Sequence, residues 1–160
     1  MNTAVAVADQ TNELSCVIIP TPGVQLLLPN VCIAEIMPWR RIKPVPNGPQ
    51  WCSGLLGWRG QTVPVVHYVS FADANVPVPE TARCLVVMNR ARNNSGPAFY
   101  ALAAVGLPRM LQLEEDDLQN ADVELGAADA MQVQVGTELA TIPNLAFIED
   151  RVAELMSTLT

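Results

Sequence analysis

The stretch PVPNGPQWCSGLLGWRGQTVPVVHY, residues 44–68, decides the fold. Two apolar runs, 54–58 and 62–69, flank Arg59-Gly60-Gln61. Gly60 is well placed to supply the positive φ of a tight hairpin turn, so the segment reads as two antiparallel strands. Ahead of it, residues 41–49 carry three prolines and Asn47-Gly48, and therefore read as a loop.

The same punctuation continues outward. The 13 prolines are spread along the chain, and proline this dense breaks helices over most of it. Residues 16–19 and 24–28 form a hairpin across Thr21-Pro22-Gly23. Residues 31–37 fit a short helix or an irregular strand. Residues 71–81 form a polar, proline-rich connection between two halves. Residues 83–89 and 99–105 are strands around the loop RARNNSGP at 90–97. Residues 107–113 form a further strand interrupted by Pro108, and 114–118 an acidic turn. Residues 131–135 and 139–142 make a last hairpin around Gly136. Asn144 caps a terminal helix over about 145–156, with Leu145, Ile148, Val152 and Leu155 on one face. Short strands separated by turns at this spacing make an all-β barrel or sandwich in two lobes.

Composition narrows the function. Half the residues are apolar and 16% are charged, which supports a packed core and argues against disorder. The net charge of −7 disfavours a nucleic-acid binder, since phosphate contacts need a basic face. Cys16, Cys32, Cys52 and Cys84 lack the close pairing of zinc ligands and read as buried apolar residues in a reducing cytoplasm, with a disulfide left open. Residues 1–10 do not read as a signal peptide, and no run is apolar enough to span a membrane. No phosphate-binding loop occurs, and the run Glu114, Glu115, Asp116, Asp117 reads as a solvated face, so no metal or cofactor is expected.

His67, the one histidine, reads as a strand-end residue facing solvent or a nearby loop, with a Cys52/His67 hydrolase dyad as the enzymatic alternative. What remains is surface chemistry. Trp39, Trp51 and Trp58 are interleaved with Arg40, Arg41 and Arg59, and tryptophan and arginine are frequent interface anchors. Trp58-Arg59 at a hairpin tip points to an exposed interaction site.

Residues 44–68 resemble the signature of CheW-like domains, a proline-containing loop followed by a G-v-x-x-x-R-G-x-x-v-P-v-v-D-l hairpin. Gly54, Leu55, Arg59, Gly60, Val63, Pro64, Val65 and Val66 stand at matching places. Upstream, GVQLLLPNVCIAEIMPW puts Ile33, Glu35 and Ile36 in register with the family's V-x-E-I element. Downstream, RCLVVMN and FYALAAVGLPRMLQLEEDDLQ are similar to its next hairpin. The resemblance covers about 14–148. It implies two packed five-stranded SH3-like β-barrels with a short C-terminal helix, as one domain over 14–150. The first lobe is expected at about 22–75. The second is expected at about 81–142, with the N-terminal strand open to sharing, a flexible start at 1–13 and a tail at 151–160.

The resemblance also implies a role. Such proteins are non-enzymatic adaptors that couple methyl-accepting chemoreceptors to a CheA-type histidine kinase, in the cytoplasm at a receptor array. They take no cofactor and neither bind nucleic acid nor insert into membranes. Carried over by position, receptor contacts fall on Ile33, Glu35, Gly54, Trp58, Arg59 and Gly60. Kinase contacts fall on the second lobe at Val87, Ala101, Ala103 and Val105. Glu35 and Arg59 either set register with the receptor by charge, or Arg59 holds the two lobes together through a carboxylate. His67 stands where the family has Asp, Val105 replaces a commonly acidic position, and the 90–97 loop is longer than usual. Residues 120–135 lack the usual G-x-x-r-l-d-g-r pattern. Such divergence is found in alternative systems, including those controlling type IV pilus twitching. A β-barrel binding module of unrelated purpose is the competing non-enzymatic reading.

Overall fold

A computed structural model describes residues 13–72, 82–91, 96–121 and 123–159. The expected flexible start, the connection at 71–81 and the tip of the 90–97 loop lie largely outside these residues. Eleven strands and one helix are found among the described residues. They are β1 (Glu13–Thr21), β2 (Val24–Pro29), β3 (Ile33–Pro38), β4 (Cys52–Trp58), β5 (Gln61–Val66) and β6 (Cys84–Asn89). These are followed by β7 (Phe99–Ala104), β8 (Arg109–Glu114), β9 (Leu118–Asn120), β10 (Asp129–Val135), β11 (Glu138–Pro143) and α1 (Leu145–Thr158). The ambiguous 31–37 segment resolves into a short 3₁₀ turn, Asn30–Cys32, running into β3.

The strands make two sheets, ordered β3-β6-β7-β5-β4 and β8-β1-β2-β11-β10-β9. Beyond β3, the chain returns to β4 through an isolated pair in which Lys43 and Leu55 exchange backbone hydrogen bonds of 2.8 and 2.7 Å. That pair closes the first barrel. In the second, β8 passes through the 3₁₀ turn Glu115–Asp117 into β9, so the sixth strand continues one bent strand.

The apolar runs explain the packing. Val17 and Ile19 of β1 point to a central core between the sheets, and Cys16 and Ile18 point into the second barrel. Leu85 and Val87 of β6 fill the first barrel, while Cys84, Val86 and Met88 join the central core. A strand with cover on both faces reads as an unbroken apolar run rather than an alternating one. Each fully buried Val, Leu or Ile side chain contributes about 1.5–3 kcal/mol. Helix α1 adds Ile148 and Val152 to the central core. Its cap is the expected one, Asn144 Oδ1 accepting from the Phe147 N–H at 3.2 Å.

The division into lobes differs from the sequence expectation. β6 and β7 belong with β3–β5, while β1 and β2 join β8–β11. The chain thus leaves the second barrel after β2 and re-enters it after β7. The 71–81 connection expected between two halves instead links strands of one barrel, β5 and β6, which are separated in their sheet by β7. Pro64 sits within β5, yet pairing with β7 runs through Val65 and Val66, so proline costs that ladder no donor.

Candidate protein-interaction site

The β4–β5 hairpin turns on two residues, Arg59 (φ 48°) and Gly60 (φ 76°), with Trp58 opposite Gln61. Positive φ at both positions matches the twist of the flanking strands, and holding a non-glycine residue there is uncommon. Both tip residues are exposed. Trp58 is not, with 4% of its surface accessible. Its ring packs edge-on against Phe99 at 4.8 Å, and the Arg59 guanidinium lies 4.6 Å from its centroid. The expectation of an exposed tryptophan is therefore corrected: strand alternation turns Trp58 into the barrel beside Leu56.

Glu35 ties β3 to this tip. Its Oε1 accepts from Trp58 Nε1 at 2.9 Å and from Arg59 NH2 at 3.1 Å. Glu35 and Arg59 both belong to the first barrel, so Arg59 finds its carboxylate there and not across the lobes. At 67% and 38% side-chain exposure the pair contributes about 0.2–1 kcal/mol, so its value is positional. Ile33, half-buried, packs on the central core. Ile36 pairs with Val86 of that core yet keeps 39% exposure, and Val31, just before β3, keeps 81%. The structure thus gathers Glu35, Arg59 and Gly60 at one end of the first barrel, with apolar Val31, Ile33 and Ile36 along the neighbouring segment. Val31 was missed because its exposure depends on the 3₁₀ turn.

Four of the remaining positions are corrected. Gly54 is buried, at φ 154°, and a Cβ there would lie 2.7 Å from the Lys43 carbonyl oxygen. Its glycine permits barrel closure, and the residue presents no surface. Val87, Ala101 and Ala103 are at most 4% exposed inside the first barrel and offer no contact surface. Val105 is half-buried, its N–H donating to Pro20 O at 3.0 Å where the chain returns to the second barrel.

The hydrolase reading fails on its own residues. Burial pushes the Cys52 thiol pKa up, with backbone hydrogen bonds to Gly54 and Val65 opposing, whereas a nucleophilic cysteine needs a lowered one. His67 is fully buried instead of facing solvent, and its backbone N–H donates to Trp51 O at 2.6 Å. Among the described residues no three His, Cys, Asp or Glu side chains cluster as metal ligands. All four cysteines are free thiols. Residues 114–117 are exposed, Asp117 Oδ2 accepting from the Glu114 N–H at 2.8 Å. No helix among the described residues is long and apolar enough to cross a membrane.

A family model described as CheW-like domain matches residues 15–148. The chain belongs to the CheW-like domain family. No curated protein sequence matches. Among solved structures, the scaffolding protein TtCheW from Thermoanaerobacter tengcongensis shares the fold. It superposes with a TM-score of 0.66 at 13% identity, over 82% of this chain and 84% of that one. The CheW-like two-barrel fold supports an adaptor role in chemotaxis signalling.

Proposed function

We propose that this CheW-like protein is a non-enzymatic adaptor that couples a chemoreceptor signalling tip to a CheA-type histidine kinase in the cytoplasm. One observation carries the receptor side of this reading. Glu35, reaching across from β3, fixes the exposed Arg59-Gly60 tip, and the segment that carries Glu35 keeps apolar Val31 and Ile36 exposed. A helical receptor tip presents an apolar stripe flanked by charges, and such a site offers complements to both. Val87, Ala101 and Ala103 are buried and leave the kinase side of this reading to surface residues. The divergence at His67 and in residues 120–135 favours an accessory chemosensory system, such as one controlling type IV pilus twitching.

Titration calorimetry against a receptor tip and against a kinase regulatory domain tests the reading. Arg59→Glu places a second carboxylate beside Glu35, and receptor affinity should fall about tenfold or more. The thermal midpoint should stay within a few degrees, because the altered side chain is exposed. Binding to neither partner by the wild type sinks the proposal.

A further inference from the structure

The first barrel carries a second feature that the receptor-facing reading does not use. An open groove of about 550 Å³ lies between the 41–44 segment and β4, lined by Arg41, Ile42, Lys43, Pro44, Leu55 and Gly57. β4 is the edge strand of its sheet, covered at Leu55 by the Lys43 pair. Two residues further, at Gly57, that pairing has ended, and the carbonyl accepts from Arg40 NH2 at 3.0 Å. A Cβ at Gly57 would meet nothing within 4 Å, so the floor there is open.

The groove is also chemically polarised. Between Glu35 and Asp73 the sequence holds Arg40, Arg41, Lys43 and Arg59 and no carboxylate, in a chain of net charge −7. Among the described residues, neither Arg41 nor Lys43 makes an ion pair, and both are exposed. Cations without ion-pair partners along an open groove with an apolar floor suit one kind of occupant. We infer that the groove receives an extended, acidic segment of a partner protein. Its carboxylates meet Arg41 and Lys43, and an apolar side chain rests on Leu55. The alternation of side chains along an extended chain serves charge and apolar contacts from opposite faces. A phosphate backbone would leave Ile42, Pro44 and Leu55 unused. The net negative field of the protein repels an acidic segment elsewhere, so the groove selects by location as well as by contact.

A fluorescein-labelled Glu-Leu-Glu-Thr triple repeat, titrated against the full chain by anisotropy, tests this. Saturable binding that weakens with salt is expected. The Arg41→Glu/Lys43→Glu pair should weaken it about tenfold or more, and so should Gly57→Leu, which fills the floor without touching a charge. Amide shifts at Leu55 and Gly57 should accompany binding to the wild type, which keeps the test independent of the variants' folding. The inference is overturned by affinity unchanged in Gly57→Leu. It is also overturned by equal competition from a single-stranded oligonucleotide of the same charge, or by a groove occupied through self-association of the protein.

Discussion

Each barrel carries an arginine–glutamate pair at one end, and the two pairs behave differently. In the first, Glu35 shares the face of Met37 and Val87, inside the barrel, and is held by Arg59 and by the indole of Trp58. In the second, Arg109 pairs in register with Ile18, a barrel-interior residue, and donates to both oxygens of Glu138 at 2.8 Å. Gln25 adds a third hydrogen bond to Glu138 at 3.0 Å. The two pairs are similarly exposed, the second with side chains at 56% and 36%, but the donors to its carboxylate come from an exposed arginine and a half-buried glutamine. The first satisfies a buried donor. A matching pair of charges therefore ties strand to strand in one barrel and fixes a hairpin tip through a buried indole in the other. The difference lies in what else the carboxylate holds.

The comparison breaks most severely at the base of the hairpin. Gly54→Val forces a β-branched side chain into a φ of 154° and into the Lys43 carbonyl oxygen. A loss of about 3 kcal/mol or more is expected in urea unfolding, together with loss of the Lys43–Leu55 closure. A midpoint near that of the wild type would show that the barrel closes without this contact. Next in size is Glu35→Ala, which leaves the Trp58 N–H without its acceptor at the barrel end. It should cost about 1–2 kcal/mol in the same measurement, and more than Glu138→Ala costs. Equal effects would erase the distinction between the two pairs.

The smallest effect sharpens the other side. Hydrogen bonds from Arg109 and Gln25, with the arginine's charge, hold the Glu138 carboxyl below its ordinary pKa against slight desolvation. A carboxylate depressed in the folded state adds stability above its unfolded pKa, and that contribution vanishes as pH falls through the folded value. Urea midpoints of the wild type and Arg109→Gln should therefore differ near neutral pH and converge below the usual carboxylate range. A difference independent of pH would assign the effect of Arg109 to packing.

Much of the fold was legible because local chemistry agreed with tertiary placement. Pro22-Gly23, Arg59-Gly60 and Gly136 mark turns that form there, with φ of 75°, 76° and 61° at the three glycines. Asn144 caps the helix it was expected to cap. The division into lobes is not legible because adjacency in sequence is not adjacency in space here: β5 and β6 are not neighbours. The site was half legible. Glu35 and Arg59 meet, as two charged residues on elements expected to face one another can. Trp58 and Gly54 alternate inward on β4, and inward direction follows from register, which composition does not fix. Val87, Ala101 and Ala103 failed for the same reason, since their apolar runs have cover on both faces.

The route of the chain between the two barrels has a consequence for how the molecule is made. The first barrel is built from one unbroken run, β3 through β7, all of it synthesised before β8. The second needs β1 beside β8, where Glu13 meets Glu114, about a hundred residues apart. Joining such distant positions in an unfolded chain carries a large closure entropy, and a barrel already folded between them shortens the effective loop. The less costly order on the ribosome is the barrel with the Glu35–Arg59 tip first. Until β8 emerges, the β1–β2 hairpin waits with Cys16, Ile18 and Leu27 uncovered, which makes it the segment of the nascent chain most in need of a chaperone.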